Sequence, residues 1–465
     1  MARPVAFPLA KLATSDDAVP VHEDRESCLR AVRAKDARFD GWFYAAVVTT
    51  GIYCRPSCPV TPPKSANLRF FPSAAAAQQA GFRACRRCRP DASPGSPQWN
   101  ERADLVARAM RLIADGVVDR DGVPGLAAKL GYSVRQIQRQ LLAELGAGPL
   151  AIARAQRAQT ARLLIETTPV PLGDVAFAAG FASVRTFNDT VREIFAQTPS
   201  ELRLRARNRQ QSAAPGTLTL RLPFRQPRDA DDLFARLKAE MLPGVEEWRD
   251  GTYRRTLGLP HGHGIVALRP LPEHIECRLT LTDLRDLSTA ITRCRWLLDL
   301  DADPVAVDEV LRADPVLSSL VDKEPGRRVP RTVSPEEFAV RAVAGSRATF
   351  YGTPISDPVG GLTHVFPDAK ALAALDLPVV RALADGEVDL GVGSDWLRVR
   401  EQLSALGVDT VTVETIAKRA LGDPDAFSTT DPVIRRAARK LGISDLATHS
   451  AAWRPWRAYA GQYLS

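Results

Sequence analysis

Four cysteines constrain this chain more than any other feature: Cys54 and Cys58, then Cys85 and Cys88 after 26 intervening residues. A C-x3-C pair followed by a C-x2-C pair lets two tight turns present four thiolates to one tetrahedral zinc ion. The other three cysteines, Cys28, Cys277 and Cys294, are scattered and read as packing residues. Seven cysteines with four clustered fit a reducing compartment and a metal site better than a disulfide framework.

At 465 residues the chain is too long for one core and is expected to form three or four domains. Hydrophobic residues at 45% and charged residues at 25% are ordinary for a globular protein. No apolar stretch approaches the roughly 20 residues of a membrane span, and the N-terminus has no apolar signal segment. A cytoplasmic location away from membranes is therefore expected. Residues 1–210 hold 30 Lys and Arg against 19 Asp and Glu, leaving 32 against 35 in the rest. A polyanion should thus meet the first half most strongly, by phosphate neutralisation and counterion release.

Two polar, Pro- or Gly-bearing segments without periodicity, 92–98 and 206–216, read as linkers. Apolar and polar residues alternate over 218–222, 253–257 and 274–281, as in half-buried strands, and the spacing becomes helical from Pro304. The expected division is 1–95, 98–206, 216–300 and 301–465.

The string Thr49-Thr50-Gly51-Ile52-Tyr53-Cys54-Arg55-Pro56-Ser57-Cys58, with Gly81-Phe82-Arg83-Ala84-Cys85-Arg86-Arg87-Cys88, resembles the N-terminal domain of the Ada methyl-phosphotriester repair family. The resemblance implies one Zn2+ held by Cys54, Cys58, Cys85 and Cys88. It implies that Cys54 also acts as nucleophile, taking a methyl group from a DNA phosphotriester in a single, stoichiometric transfer. It places Thr50 and Arg83 beside the phosphate.

Residues 98–206 resemble the DNA-binding domain of the AraC family, with two helix-turn-helix units around Gly131-Tyr132-Ser133 and Gly180-Phe181-Ala182-Ser183. In each unit a Gly suits the turn and a Ser N-caps the second helix. Arg135, Gln138, Arg139, Arg185 and Thr186 are the expected groove-facing residues, with Ile137, Leu141, Phe187 and Val191 in the core.

Residues 216–465 resemble the AlkA 3-methyladenine DNA glycosylases, through Arg331–Gly345, Ala417–Phe427 and Trp453–Tyr459. The resemblance maps a catalytic carboxylate onto Asp431, which would stabilise an oxocarbenium-like sugar as a damaged base departs. Asp431-Pro432 also fits a helix start. The family's hairpin, roughly Leu-Pro-Gly-x-Gly-x-Trp-Thr, departs here to Ala405-Leu406-Gly407-Val408-Asp409-Thr410-Val411-Thr412. Two outcomes stay open: an active glycosylase, or a kept fold with the activity lost.

The fold class expected is multidomain α+β: a small zinc-bound α/β domain, an all-α double helix-turn-helix, an AlkA-like mixed α/β domain and a mostly α helix-hairpin-helix domain. The functional reading is an alkylation-damage repair protein and transcriptional regulator. Its partners are double-stranded DNA and RNA polymerase, and it acts as a monomer. The competing readings are a transcription factor with structural zinc and an inert C-terminal half, and a glycosylase that uses the front half for docking.

Overall fold

The computed structural model describes residues 22–90, 105–207, 217–228, 230–345, 348, 351–357, 360–372 and 375–465. The expected linker at 92–98, and that at 206–216 beyond its first two residues, lie outside these ranges.

Helix α1 (Arg25–Ala34) is started by Asp24, whose side chain accepts from the Ser27 amide. Strands β1 (Tyr44–Val47), β2 (Ile52–Cys54), β3 (Leu68–Phe71) and β4 (Arg83–Ala84) form a sheet of order β3-β1-β2-β4. β1 is antiparallel to β2 and β3, while β2 and β4 are parallel. Helix α2 (Ala74–Gln79), capped by Ser73, packs Ala76 and Ala77 into the same cluster as Phe71 and Phe82.

Seven helices follow: α3 (Leu105–Ala114), α4 (Val117–Leu130), α5 (Val134–Leu145), α6 (Pro149–Thr167), α7 (Leu172–Ala178), α8 (Val184–Phe195) and α9 (Pro199–Arg207). α4 is two helical pieces meeting at Gly122, whose φ of 68° and ψ of −176° break the helix. The long α6 runs between the two units and buries residues against both.

The third unit is an antiparallel sheet of β5 (Thr217–Pro223), β6 (Glu246–Arg249), β7 (Thr252–Leu259), β8 (Gly262–Pro270) and β9 (His274–Leu281), in the order β5-β9-β8-β7-β6. In β5, Leu218, Leu220 and Leu222 are buried while Thr219 and Arg221 are exposed, the alternation that the pleat requires. Helices α10 (Ala230–Ala239) and α11 (Leu287–Leu297) cover it.

The remainder is mostly helical: α12 (Pro304–Arg312), α13 (Pro315–Lys323), α14 (Pro335–Ala344), a β10–β11 pair at Thr353–Pro354 and His364–Val365, α15 (Pro378–Ala384), α16 (Trp396–Ala405), α17 (Thr410–Ile416), α18 (Pro432–Lys440), α19 (Leu446–His449) and α20 (Arg457–Tyr463). The apolar core changes hands between Leu300, which packs with the sheet, and Ala302, which packs with Trp453 and Trp456. Those tryptophans and Tyr459 are 0–1% exposed, and Tyr459 Oη donates to Asp299. The C-terminal aromatics therefore pin α12 and α13 to the end of the chain.

The units touch one another. Ser73 Oγ donates to Leu145 O at 2.8 Å, and Arg86 donates to Ala196 O at 2.7 Å. Arg108 and Arg111 donate to Gly393 O and Val392 O at 2.6 and 2.8 Å. Buried Arg225 reaches Asp40 O at 2.5 Å.

Candidate metal centre and nucleic-acid interface

The sheet of the first unit brings the cysteine pairs together. Cys54 ends β2, and a turn in which the Cys58 amide donates to Arg55 O returns Cys58 beside it. Cys85 follows β4, whose parallel pairing sets Tyr53 against Ala84. One sulfur from each of Cys54, Cys58, Cys85 and Cys88 lies within 4.8 Å of the others. A tetrahedral site with Zn–S of about 2.3 Å needs sulfurs roughly 3.8 Å apart, so the four thiols fit one zinc ion. Cys85 and Cys88 are 6% and 3% exposed, whereas Cys54 and Cys58 are half-buried. Ionisation is shared across the cluster: the other three sulfurs push the Cys54 thiol up, and Cys54 draws Cys58 down to about 7.

Asp40, 4% exposed, braces the loop between the first two cysteines. Its carboxylate accepts from the Ser57 amide at 3.0 Å and Ser57 Oγ at 2.6 Å, and pairs with Arg55 at 3.3 Å. Burial raises its pKa, against the pull of Ser57 and Arg55. Sequence reasoning passed over this residue because nothing local marks it. Thr50 is exposed on the β1–β2 turn, and Arg83 donates its amide across to Gly51 O at 2.9 Å. Of the two expected phosphate neighbours, Thr50 thus sits in the β1–β2 turn and Arg83 on the edge strand β4 opposite Ile52.

In the second unit Ser133 caps α5 by accepting from the Gln136 amide, and Ser183 caps α8 by accepting from Thr186. Arg135, Gln138, Arg139, Arg185 and Thr186 are exposed, while Ile137, Leu141, Phe187 and Val191 are at most 1% exposed. Both second helices therefore present their early polar residues outward.

Asp431 is the N-cap of α18, its Oδ1 accepting from the Val433 and Ile434 amides at 2.8 and 3.3 Å. Its other oxygen has no hydrogen bond among the described residues. Half-buried Lys418 lies in a π-turn, Ala417–Leu421, and feels the Asp431 charge. Burial drives the Lys418 amine down to about 8. A cavity of about 900 Å³ lies where the units meet, and Asp431 is not among its lining residues. In the hairpin, Asp409 caps α17 by accepting from the Thr412 amide at 3.0 Å, so a carboxylate occupies the helix start.

Three family models match the chain: the metal binding domain of Ada over 27–91, a helix-turn-helix domain over 126–205 and the AlkA N-terminal domain over 219–334. A probable bifunctional transcriptional activator/DNA repair enzyme AlkA of Mycobacterium tuberculosis is 58% identical, covering 96% of each chain. The regulatory protein ada of Salmonella typhimurium is 32% identical over 38% of this chain and 49% of its own. A solved 3-methyladenine DNA glycosylase from Archaeoglobus fulgidus covers 53% of this chain and 97% of its own, at 17% identity and a TM-score of 0.45. Identity over nearly the whole length, with a four-cysteine zinc site and paired helix-turn-helix units, shows that the chain belongs to the family of bifunctional transcriptional activator/DNA repair enzymes of the Ada–AlkA type.

Proposed function

We propose that this chain removes methyl groups from DNA phosphotriesters onto Cys54 and uses the change of charge to regulate transcription. When bound, zinc keeps the four thiols deprotonated and electron-rich. Cys54 Sγ attacks the methyl carbon: an S–C bond forms, the methyl C–O bond breaks while the P–O bond stays intact, and the electron pair stays on the phosphate oxygen as an ordinary phosphodiester anion. Cys54 becomes a thioether and is not regenerated. Cys58, Cys85 and Cys88 hold the metal. The observation that carries this reading is a four-sulfur cluster in which the first cysteine is half-exposed and the last two are buried.

Losing one negative charge beside DNA phosphates changes the interaction by about 1 kcal/mol in water and about 4 at an effective dielectric of 20, for charges about 4 Å apart. Thr50 and Arg83 flank the phosphate, and Arg135, Gln138, Arg139, Arg185 and Thr186 read promoter DNA. The chain works as a monomer in the cytoplasm, on the nucleoid, and hands its signal to RNA polymerase. Its working units are 1–95, 98–206, 216–300 and 301–465.

The unengaged Asp431 oxygen favours a second activity, release of alkylated bases by the C-terminal half. Incubating the protein with methyl-phosphotriester DNA should add the mass of one methylene to Cys54 and none to Cys54→Ser. An unmodified zinc site under saturating substrate overturns the transfer. Asp431→Asn should abolish base release from methylated DNA, and a wild type that releases no base overturns the second activity.

A further inference from the structure

The second helix of the hairpin, α17, starts at an acidic residue. Asp409 accepts from the Thr412 amide, and its carboxylate repels the anion that the helix terminus would otherwise attract. The C-terminal half therefore needs its phosphate contacts elsewhere.

Helix α18 offers them. Arg435, Arg436, Arg439 and Lys440 are all exposed, while Ile434 and Ala438 are buried. At 3.6 residues per turn the four cations span about 140° of the face opposite the core. None of their side chains forms an ion pair or hydrogen bond among the described residues. By contrast Arg400, Arg419 and Arg457 in the same half are each paired with a carboxylate. Arg435 and Arg439 also form a like-charge i,i+4 pair, which weakens a helix unless an anion neutralises it.

A cavity of about 410 Å³ opens against this stripe, lined by Arg435 and Arg439 together with Thr429, Thr430 and Ser444. Asp445 lines it too, but its carboxylate is engaged by the Ala447 and Thr448 amides and Thr448 Oγ1. Arg435 and Arg439 lie about 6 Å apart along the helix axis, close to two of the roughly 3.4 Å axial rises per phosphate of one strand of duplex DNA.

We propose that α18 is the phosphate-docking surface of the C-terminal half, taking the backbone of duplex DNA in place of the hairpin. This rests on DNA being the partner of that half, and not on base release.

Two measurements on the full chain test it. Arginine- and lysine-selective modification, mapped by mass spectrometry, should show Arg435, Arg439 and Lys440 protected several-fold by a non-operator duplex. Arg435→Gln/Arg436→Gln/Arg439→Gln/Lys440→Gln should flatten the salt dependence of binding to that duplex, by about 0.9 in log–log slope for each phosphate no longer neutralised. Unchanged reactivity on adding DNA, with Arg135 and Arg185 protected, overturns the proposal. An unchanged slope overturns it as well. If α18 is protected and no base is ever released, the docking surface stands and the role of Asp431 falls. If bases are released while α18 stays reactive, the reverse holds.

Discussion

At the scale of single residues the chemistry depends on groups that hold others in place. Asp40 keeps the span between Cys54 and Cys58 in one conformation through Ser57 and Arg55. Asp40→Asn keeps the shape but loses the Arg55 pair and turns one acceptor into a donor facing Ser57. Zinc content should stay at one ion, because all four thiols remain, while the single-turnover methyl transfer slows about tenfold, as expected when a group that orients metal ligands is altered. Equal loss of zinc and transfer would make Asp40 a purely structural residue. Lys418 makes a different prediction. Its amine sits at about 8 in the folded chain against 10.5 when free. The unfolded chain therefore binds more protons between those values, and stability rises with pH across that window. Lys418→Met should stabilise the protein by about 1–3 kcal/mol at pH 7, a gain that shrinks toward pH 10. Urea unfolding at the two pH values checks it, and an equal shift at both would contradict the burial argument.

At the scale of elements, the helix starts were the most legible part of the chain. Ser133 and Ser183 each cap through the amide three residues on, so a short string contains all the participants. Asp409 was legible as a foreign charge in a hairpin, but its capping of α17 came only with the backbone geometry. Thr412 holds the Asp409 carboxyl below its usual range, so this cap stabilises above about pH 4 and fades as pH falls further. Asp409→Ala should cost about 1 kcal/mol of stability. The same change should tighten non-operator duplex binding about two- to fivefold, as a helix terminus regains its attraction for anions. Weaker binding with the fold intact would show that Asp409 does not face DNA.

At the scale of the whole molecule, the three functional regions share contacts rather than hanging from linkers. Arg86, between the second pair of cysteines, donates to Ala196 O, and Ala196 is the left-handed C-cap of α8. The metal loop is thereby tied to the end of a recognition helix. Arg86→Ala should leave methyl uptake at Cys54 unchanged while reducing the gain in operator affinity that follows it. A hydrogen bond of about 0.5–1.5 kcal/mol predicts a reduction of roughly two- to tenfold. Operator titrations of methylated and unmethylated protein measure the gain. An identical gain in the variant would route the signal through DNA electrostatics instead.

The amino-acid sequence by itself determined the zinc ligands, the paired helix-turn-helix units and the amphipathic strands, because each is written in residues a few positions apart. Tertiary structure decided which acid braces the metal loop, which lysine is stripped of solvent and which helix presents unpaired cations. Those outcomes depend on partners far along the chain, as when Arg225 reaches Asp40 or Arg108 reaches Gly393. Burial and charge pairing are properties of a packed neighbourhood, and no short string of residues contains that neighbourhood.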